Sequence, residues 1–150
     1  MTTARSANHW QALQEKLGFL LQPSAYPEGT AAVETVETHM SWVFLTDTRA
    51  YKLKKPVDLG FLDFRTREAR EAVCHREVEL NRRLSPDVYL GVADVLGPDG
   101  EVCDHLVVMR RMPAARRLST LVAAGADVDG ALRHLAHLLA TFHAAAGRGP

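Results

Sequence analysis

The sequence predicts an α+β protein in which short strands pair around one long helix and further helices follow. Residues 42–46 and 50–54 are apolar or aromatic and flank the turn signal Asp47-Thr48-Arg49, which is the pattern of a β-hairpin. Residues 66–84 instead carry apolar side chains at helical spacing. After a short N-terminal helix, the expected order is β-β-β-α-β-β-α-α.

The N-terminal part of the chain predicts one helix and one strand. Trp10, Leu13, Leu17 and Leu20 recur at helical spacing, which predicts an amphipathic helix over residues 7–21. Residues 22–29 are rich in proline and glycine and predict a loop. A strand is expected over residues 33–38.

The long helix is expected to start after Thr66, whose hydroxyl can cap it, and to end near Leu84, before Ser85-Pro86. The apolar stripe predicted to face the sheet consists of Ala69, Ala72, Val73, Leu80 and Leu84.

The last third of the chain predicts two strands and two helices. Residues 88–96 and 102–109 flank the turn signal Gly97-Pro98-Asp99-Gly100, which predicts a second hairpin. A short helix is expected over residues 117–124 and a longer one over residues 130–146. The longer helix would turn four apolar side chains inward: Leu132, Leu135, Leu139 and Phe142.

Composition excludes several classes of function. The 150 residues have a formal net charge of zero, so no overall field attracts nucleic acid or an anionic membrane. Cys74 and Cys103 have no metal-ligand spacing, and the N-terminus lacks the apolar core of a signal peptide. No apolar run is long enough to span a bilayer. We therefore expect a cytoplasmic protein with no nucleic-acid or membrane partner.

The hairpin ends in lysines, and this is the candidate site. Strand alternation places Ala50 and Lys52 on one face, where a small residue leaves room for a flat base and the ammonium reaches phosphates. An anion must orient such a lysine, and the following helix offers Glu77 and Glu79. Helical phase hardly separates these two, and Lys54 paired with Glu79 is the rival assignment. The alternative to a site is a solvated edge of lysines facing an exposed helix.

Longer strings of residues carry a resemblance. They are ETHMSWVFL at residues 37–45, AYKLKKPVDLGFLDF at 50–64, EVELNRRL at 77–84 and VMRRMP at 108–113. Over residues 24–146 the chain resembles the aminoglycoside-phosphotransferase-like domain of bacterial bifunctional phosphotransferase/ATP-binding proteins. The resemblance implies a protein-kinase-like small lobe, with a five-stranded antiparallel sheet and one long helix, followed by a hinge and the first helices of a truncated large lobe.

The resemblance also implies an organisation and a set of ATP-binding residues. Residues 1–23 would be an N-terminal helix, 24–109 the small lobe, and 110–150 the hinge and the incomplete large lobe. Lys52 resembles the phosphate-contacting lysine, with Glu77 as its helix partner and Ala50 beside the base. The remaining nucleotide contacts would come from the covering turn (Thr38 and Ser41) and from the hinge (Arg110 and Met112).

Two departures from the family pattern limit the expected activity. The turn at residues 38–41 has no glycine, so close backbone approach to phosphate is not expected there. The Asp and Asn residues that orient the acceptor hydroxyl and bind Mg²⁺ would lie beyond the helix ending in Phe142-His143. The chain is therefore expected to bind ATP as part of a small-molecule kinase of unknown acceptor but to lack catalytic residues, and Mg²⁺ would need the missing lobe.

The alternative function is a non-catalytic, kinase-like interaction module. Under either hypothesis the exposed stripe of the last helix is expected to promote self-association. His134 and His137 lie away from that stripe and are expected on a solvated face rather than in a metal site, whereas His143 is expected to be packed.

Overall fold

The computed structural model of the protein describes residues 3–147, with side chains described from residue 12 onward. The chain divides into two compact units, Met1–Arg111 and Met112–Pro150. The first unit contains a five-stranded sheet and two helices, and the second is helical. The fold is therefore α+β, as the sequence predicts.

The first unit opens with helix α1, Thr3–Leu20, which starts four residues earlier than its apolar spacing predicts. Leu13 and Leu20 are buried, and the side chain of Trp10 lies outside the described residues. A 3-10 turn at Pro23–Ala25 follows, and the Tyr26 hydroxyl donates a hydrogen bond to the Leu20 carbonyl. This bond ties the loop back to the end of α1.

The sheet consists of β1 (Glu34–Glu37), β2 (Ser41–Leu45), β3 (Arg49–Lys54), β4 (Tyr89–Leu96) and β5 (Val102–Arg110). The strands lie in the order β1-β2-β3-β5-β4, and every neighbouring pair is antiparallel. The prediction of a five-stranded antiparallel sheet is thus confirmed, as are both hairpins.

Side chains alternate along the strands, so the sheet has two differently packed faces. One face contributes Phe44, Tyr51 and Leu53 to a core that includes Leu20 of α1 and Tyr26. The opposite face packs on helix α2, Arg67–Arg82. The core on this face consists of Val107 from β5 with Cys74 and Val78 from α2, and Val92 and Met109 pack against it. Lys52 pairs with Val107 across the sheet and so shares the α2 face.

Helix α2 begins as predicted but packs through a different stripe. Thr66 caps it, with Oγ1 accepting from the Ala69 N–H at 3.2 Å. Its buried residues are Arg70, Cys74 and Val78, while the predicted Ala72 and Leu84 are exposed. The predicted stripe is wrong at Ala72 and Leu84, while Ala69, Val73 and Leu80 are half-buried. It missed Arg70, which is buried because its guanidinium is paired and not because it is apolar.

The second unit begins with a 3-10 turn, Ala114–Arg116, and contains α3, Leu118–Ala123, and α4, Asp129–Ala145. Its helices have no fully buried residue, and Leu132 and Leu135 are nearly half exposed. His134 and His137 are exposed, as predicted. The expectation that His143 is packed is wrong, since its side chain is also exposed and lies beside the Phe142 ring, with the ring centroids 5.7 Å apart.

Candidate functional site

The candidate site is an ion-pair cluster between β3 and α2. Lys52 Nζ lies 2.7 Å from Glu77 Oε1, which confirms the predicted strand-to-helix pair. Lys54, two residues further along the same strand face, donates to Glu77 Oε2. The rival pairing of Lys54 with Glu79 is wrong, because Glu79 is exposed and accepts from Arg76 on its own helix.

Local sequence explains why these three side chains converge. Lys52 and Lys54 are two residues apart on a strand and therefore project from the same face. Glu77 lies one residue before the buried Val78, at the edge of the α2 stripe, so its carboxylate reaches back over β3. Asn81, one turn further along α2, donates its side-chain amide to the Glu77 carbonyl at 2.8 Å.

The electrostatics of Glu77 depend on both lysines. Burial acts to raise the pKa of this carboxyl, but the hydrogen bonds and charges of Lys52 and Lys54 outweigh burial and lower the pKa below its ordinary value. Glu77 is therefore ionised at neutral pH. With two ammonium groups facing one carboxylate, the cluster carries an excess of one positive charge, which suits an anionic ligand.

The turn predicted to cover the phosphates is closed by its own atoms. Thr38 N–H donates to the Ser41 carbonyl at 2.8 Å, and Thr38 Oγ1 accepts from the Ser41 N–H at 3.1 Å. Thr38 Oγ1 also lies 3.1 Å from the Ser41 carbonyl, to which it donates, and Ser41 is buried. The Thr38 hydroxyl and the backbone of Ser41 thus stabilise the turn itself. The Lys55 N–H adds a bond to the Met40 carbonyl at 2.8 Å.

The other predicted nucleotide contacts occupy separate positions. Ala50 is buried on the same strand face as Lys52, two residues before it. Arg110, the last residue of β5, has an exposed side chain, and its N–H donates to the Val88 carbonyl at 2.8 Å. Met112 belongs to the second unit and is 58% exposed.

A second polar cluster, which the sequence analysis missed, lies near the other end of α2. Asp104 of β5 accepts from Arg70 Nε at 3.0 Å and from Lys16 Nζ at 2.6 Å. Arg70 also donates to the carbonyls of Phe64 and Arg65. Burial acts to raise the pKa of the Asp104 carboxyl. The hydrogen bonds and charges of Arg70 and Lys16 outweigh burial, so the pKa lies below its ordinary value. The available signal was the polar pair Asp104-His105 inside an otherwise apolar strand.

His105 forms a third polar contact on the α2 face. Its Nδ1 lies 2.9 Å from Asp94 Oδ1 on β4, and its Nε2 lies 3.5 Å from Glu71 Oε2 on α2. The second distance places the two side chains near one another but does not satisfy hydrogen-bond geometry. Nε2 is the one buried side-chain nitrogen or oxygen without a partner among the described residues. Within the same residues, no group of three His, Cys, Asp or Glu side chains has the geometry to hold a metal ion.

One cavity of the first unit lies away from the lysine cluster. It measures about 570 Å³ and lies between α1 and the β4–β5 hairpin. Its lining is mostly apolar, and its cations Lys16 and Arg70 are already paired with Asp104. We place the candidate site at Lys52 instead, because the side chain of Lys52 is 25% exposed and open to a ligand, whereas those of Lys16 and Arg70 are 14% and 6% exposed. The cavity's lining includes Leu13, Phe19, Pro56, Val95, Leu96 and Cys103.

Comparison with known proteins gives relatives but no function. The chain is 47% identical over 116 residues to uncharacterized proteins of Mycobacterium bovis and Mycobacterium tuberculosis. The match covers 77% of this chain but only 23% of each relative, so the chain spans about a quarter of the length of these relatives. No family model and no solved structure matches the chain. Among the described residues, no helix has the length and apolar character that crossing a membrane requires.

Proposed function

We propose that this chain is the N-terminal, ATP-binding portion of an aminoglycoside-phosphotransferase-like small-molecule kinase. The observation that carries the proposal is the 2.7 Å ion pair between Lys52 on β3 and Glu77 on α2. In kinase-like folds a strand lysine contacts the nucleotide phosphates, and a glutamate from the following helix orients it. The antiparallel sheet of five strands, with α2 inserted between β3 and β4, is the arrangement expected for the small lobe.

In this proposal each residue has a defined part in binding. Lys52 donates to the phosphates, Glu77 orients Lys52, and Ala50 leaves room for the base on the same strand face. The segment from Arg110 to Met112 corresponds to the hinge that meets adenine. Because the Thr38 hydroxyl is engaged within its turn, phosphate contacts from that turn would come from the Ser41 hydroxyl and the backbone N–H groups of the central residues.

The reaction itself belongs to the longer protein in this proposal. The γ-phosphoryl group of ATP would pass to a hydroxyl of a small-molecule acceptor, and Mg²⁺ would be held by residues other than Lys52 and Glu77. Bound Mg²⁺ would supply charge neutralisation at the phosphates, and the protein would align the acceptor oxygen. Lys52 and Glu77 contribute to the first step, which is the binding and orientation of ATP.

The test is a comparison of ATP and adenosine affinity by calorimetry. Wild type is expected to bind ATP more tightly than adenosine, and Lys52→Met to reduce ATP affinity about tenfold, the size of one charge-assisted hydrogen bond. Arg76→Met is the matched control, since it removes a positive charge one residue from Glu77 without touching the cluster. Equal loss in both variants, or no preference for ATP in wild type, would refute the proposal.

The exposed apolar residues of the second unit favour the alternative of a kinase-like interaction module. Leu118, Val122, Leu132 and Leu135 are each 44 to 56% exposed. Exposed apolar side chains of this kind are more typical of a surface that binds another protein than of a surface that stays in contact with water. A chain that binds no nucleotide but associates through this surface would fit the module and not the kinase.

A further inference from the structure

Glu77 has two cationic partners that differ in exposure. The side chain of Lys54 is 9% exposed and that of Glu77 is 14% exposed, whereas that of Lys52 is 25% exposed. Each lysine binds a different oxygen of the carboxylate. Lys54 is therefore enclosed with Glu77, and Lys52 is the partner with access to solvent.

A single lysine could not serve both Glu77 and a bound phosphate at equal strength. A largely buried carboxylate without a counterion is unfavourable, because nothing replaces the solvation it has lost. If Lys52 were the sole partner, each phosphate contact that drew it away would weaken the compensation of Glu77. A second, enclosed cation removes that conflict.

We propose that Lys54 is the permanent counterion of Glu77 and thereby a positioning residue that leaves Lys52 free to bind the phosphates of a nucleotide. The identification of the anion as nucleotide phosphate rests on the proposed function above. The counterion arrangement itself rests on the contacts and exposures of the three side chains. Lys54 keeps one carboxylate oxygen bonded when Lys52 turns to its ligand.

The surroundings of the cluster leave the Lys52 side chain more conformational freedom than the Lys54 side chain. Lys54 is a buried residue at the end of β3, next to a core formed by Cys74, Val78 and Val107. Lys52 lies one step earlier on the same face and is only partly covered. A long side chain with solvent access can change rotamer at small cost, whereas an enclosed one is held by its neighbours.

The first test uses ligand-free protein and trace acetylation with acetic anhydride, followed by mass spectrometry of each lysine. In wild type, Lys52 is expected to react several-fold faster than Lys54. In Lys54→Met, Lys52 becomes the only counterion of Glu77, and its labelling rate is expected to fall several-fold. Lys54→Arg retains a cation and is expected to restore the rate, while Lys55, paired with Glu37, is the internal reference. An unchanged Lys52 rate in Lys54→Met overturns the proposal.

The second test measures the ratio of ATP to adenosine affinity in the same variants. Lys54→Met is expected to lower that ratio about tenfold with little change for adenosine, and Lys54→Arg to recover most of it. A merely structural role would lower stability in denaturant without changing the ratio, and that result overturns the proposal. If wild type shows no preference for ATP, the nucleotide function and the phosphate half of this proposal both fail, and the labelling result decides the counterion half.

Discussion

Arg70 and Asp104 form a buried ion pair that joins the first turns of α2 to β5, with Nε 3.0 Å from Oδ1 and neither side chain more than 6% exposed. Lys16 of α1 binds the other carboxylate oxygen at 2.6 Å. The single carboxylate therefore connects the helices on the two faces of the sheet. It is the polar contact in the described part of the first unit on which we expect stability to depend most.

Asp104→Asn should destabilise the protein by about 3 kcal/mol, because it leaves Arg70 buried without its counterion. The measurement is equilibrium unfolding in urea. Glu79→Gln, which disrupts an exposed pair on α2, should change the free energy of unfolding by less than about 0.5 kcal/mol. Equal effects of the two substitutions would contradict the assignment of Asp104 as the connecting residue.

Stability should fall in acid, below the ordinary pKa values of 4.5 for Glu77 and 3.8 for Asp104. Both pKa values are lowered in the folded protein, so the unfolded chain binds more protons in this range. The stabilisation is complete above the ordinary values and is lost as pH falls through the folded ones. Urea unfolding from pH 6 downward should show this decline, with a shallower slope in Asp104→Asn; parallel slopes would argue against it.

Cys74 should be inert to thiol reagents in the folded protein. It is fully buried, and burial raises the pKa of its thiol to about 11, so almost no thiolate exists at neutral pH. In a Cys103→Ser background, reaction of Cys74 with an aromatic disulfide reagent should proceed no faster than unfolding. Rapid reaction under native conditions would show that the packing of α2 on the sheet is looser than described.

The 150-residue polypeptide should not transfer phosphate by itself. The residues expected to orient the acceptor and bind Mg²⁺ in a kinase-like enzyme are not among those described around Lys52 and Glu77. The measurement is acceptor-dependent ADP release in purified protein, with Lys52→Ala as the control. Release above that control would show that the chain contains catalytic residues that we have not identified.

The second unit should promote self-association through the exposed stripe of α4. Leu132 and Leu135 are 44% and 46% exposed, and covering them removes apolar surface from water. Light scattering should show concentration-dependent association of wild type. The double substitution Leu132→Gln and Leu135→Gln should reduce it, whereas His134→Gln, on a different face of α4, should not. A monomer at high concentration would exclude this surface as an association site.

The strands were predictable because their signals are local. Turn residues such as Asp47 and Gly100 mark both hairpins, and apolar side chains fill the strands between them. The pairing of Lys52 with Glu77 was predicted from the family resemblance, since helical phase hardly separates Glu77 from Glu79. The rival pairing of Lys54 with Glu79 stayed open because Lys54 shares the strand face of Lys52. The rotation of α2 on the sheet reflects tertiary contacts such as that of Arg70 with Asp104, and no hydropathy pattern indicates the burial of an arginine.

The polar contacts that the sequence analysis missed are formed by charged groups that meet only in the folded chain. A buried arginine requires acceptors from distant parts of the chain, here Asp104 and two carbonyls, 5 to 34 residues away in sequence. Sequence spacing within a helix contains no information about such partners. For the same reason His105 was overlooked, although its position beside Asp104 inside an apolar strand is the kind of interruption that indicates a buried polar contact.

The two edge strands of the sheet, β1 and β4, are both poorly suited to pairing with a strand of another chain. β1 is an edge strand with all four residues exposed, and its end residues Glu34 and Glu37 are paired with Arg111 and Lys55. At the other edge, β4 shifts register at Tyr89/Gly91 and again at Val95/Leu96. A second chain adding to β1 would have to cover charged pairs, and one adding to β4 would meet an irregular ladder, so both edges resist intermolecular strand addition.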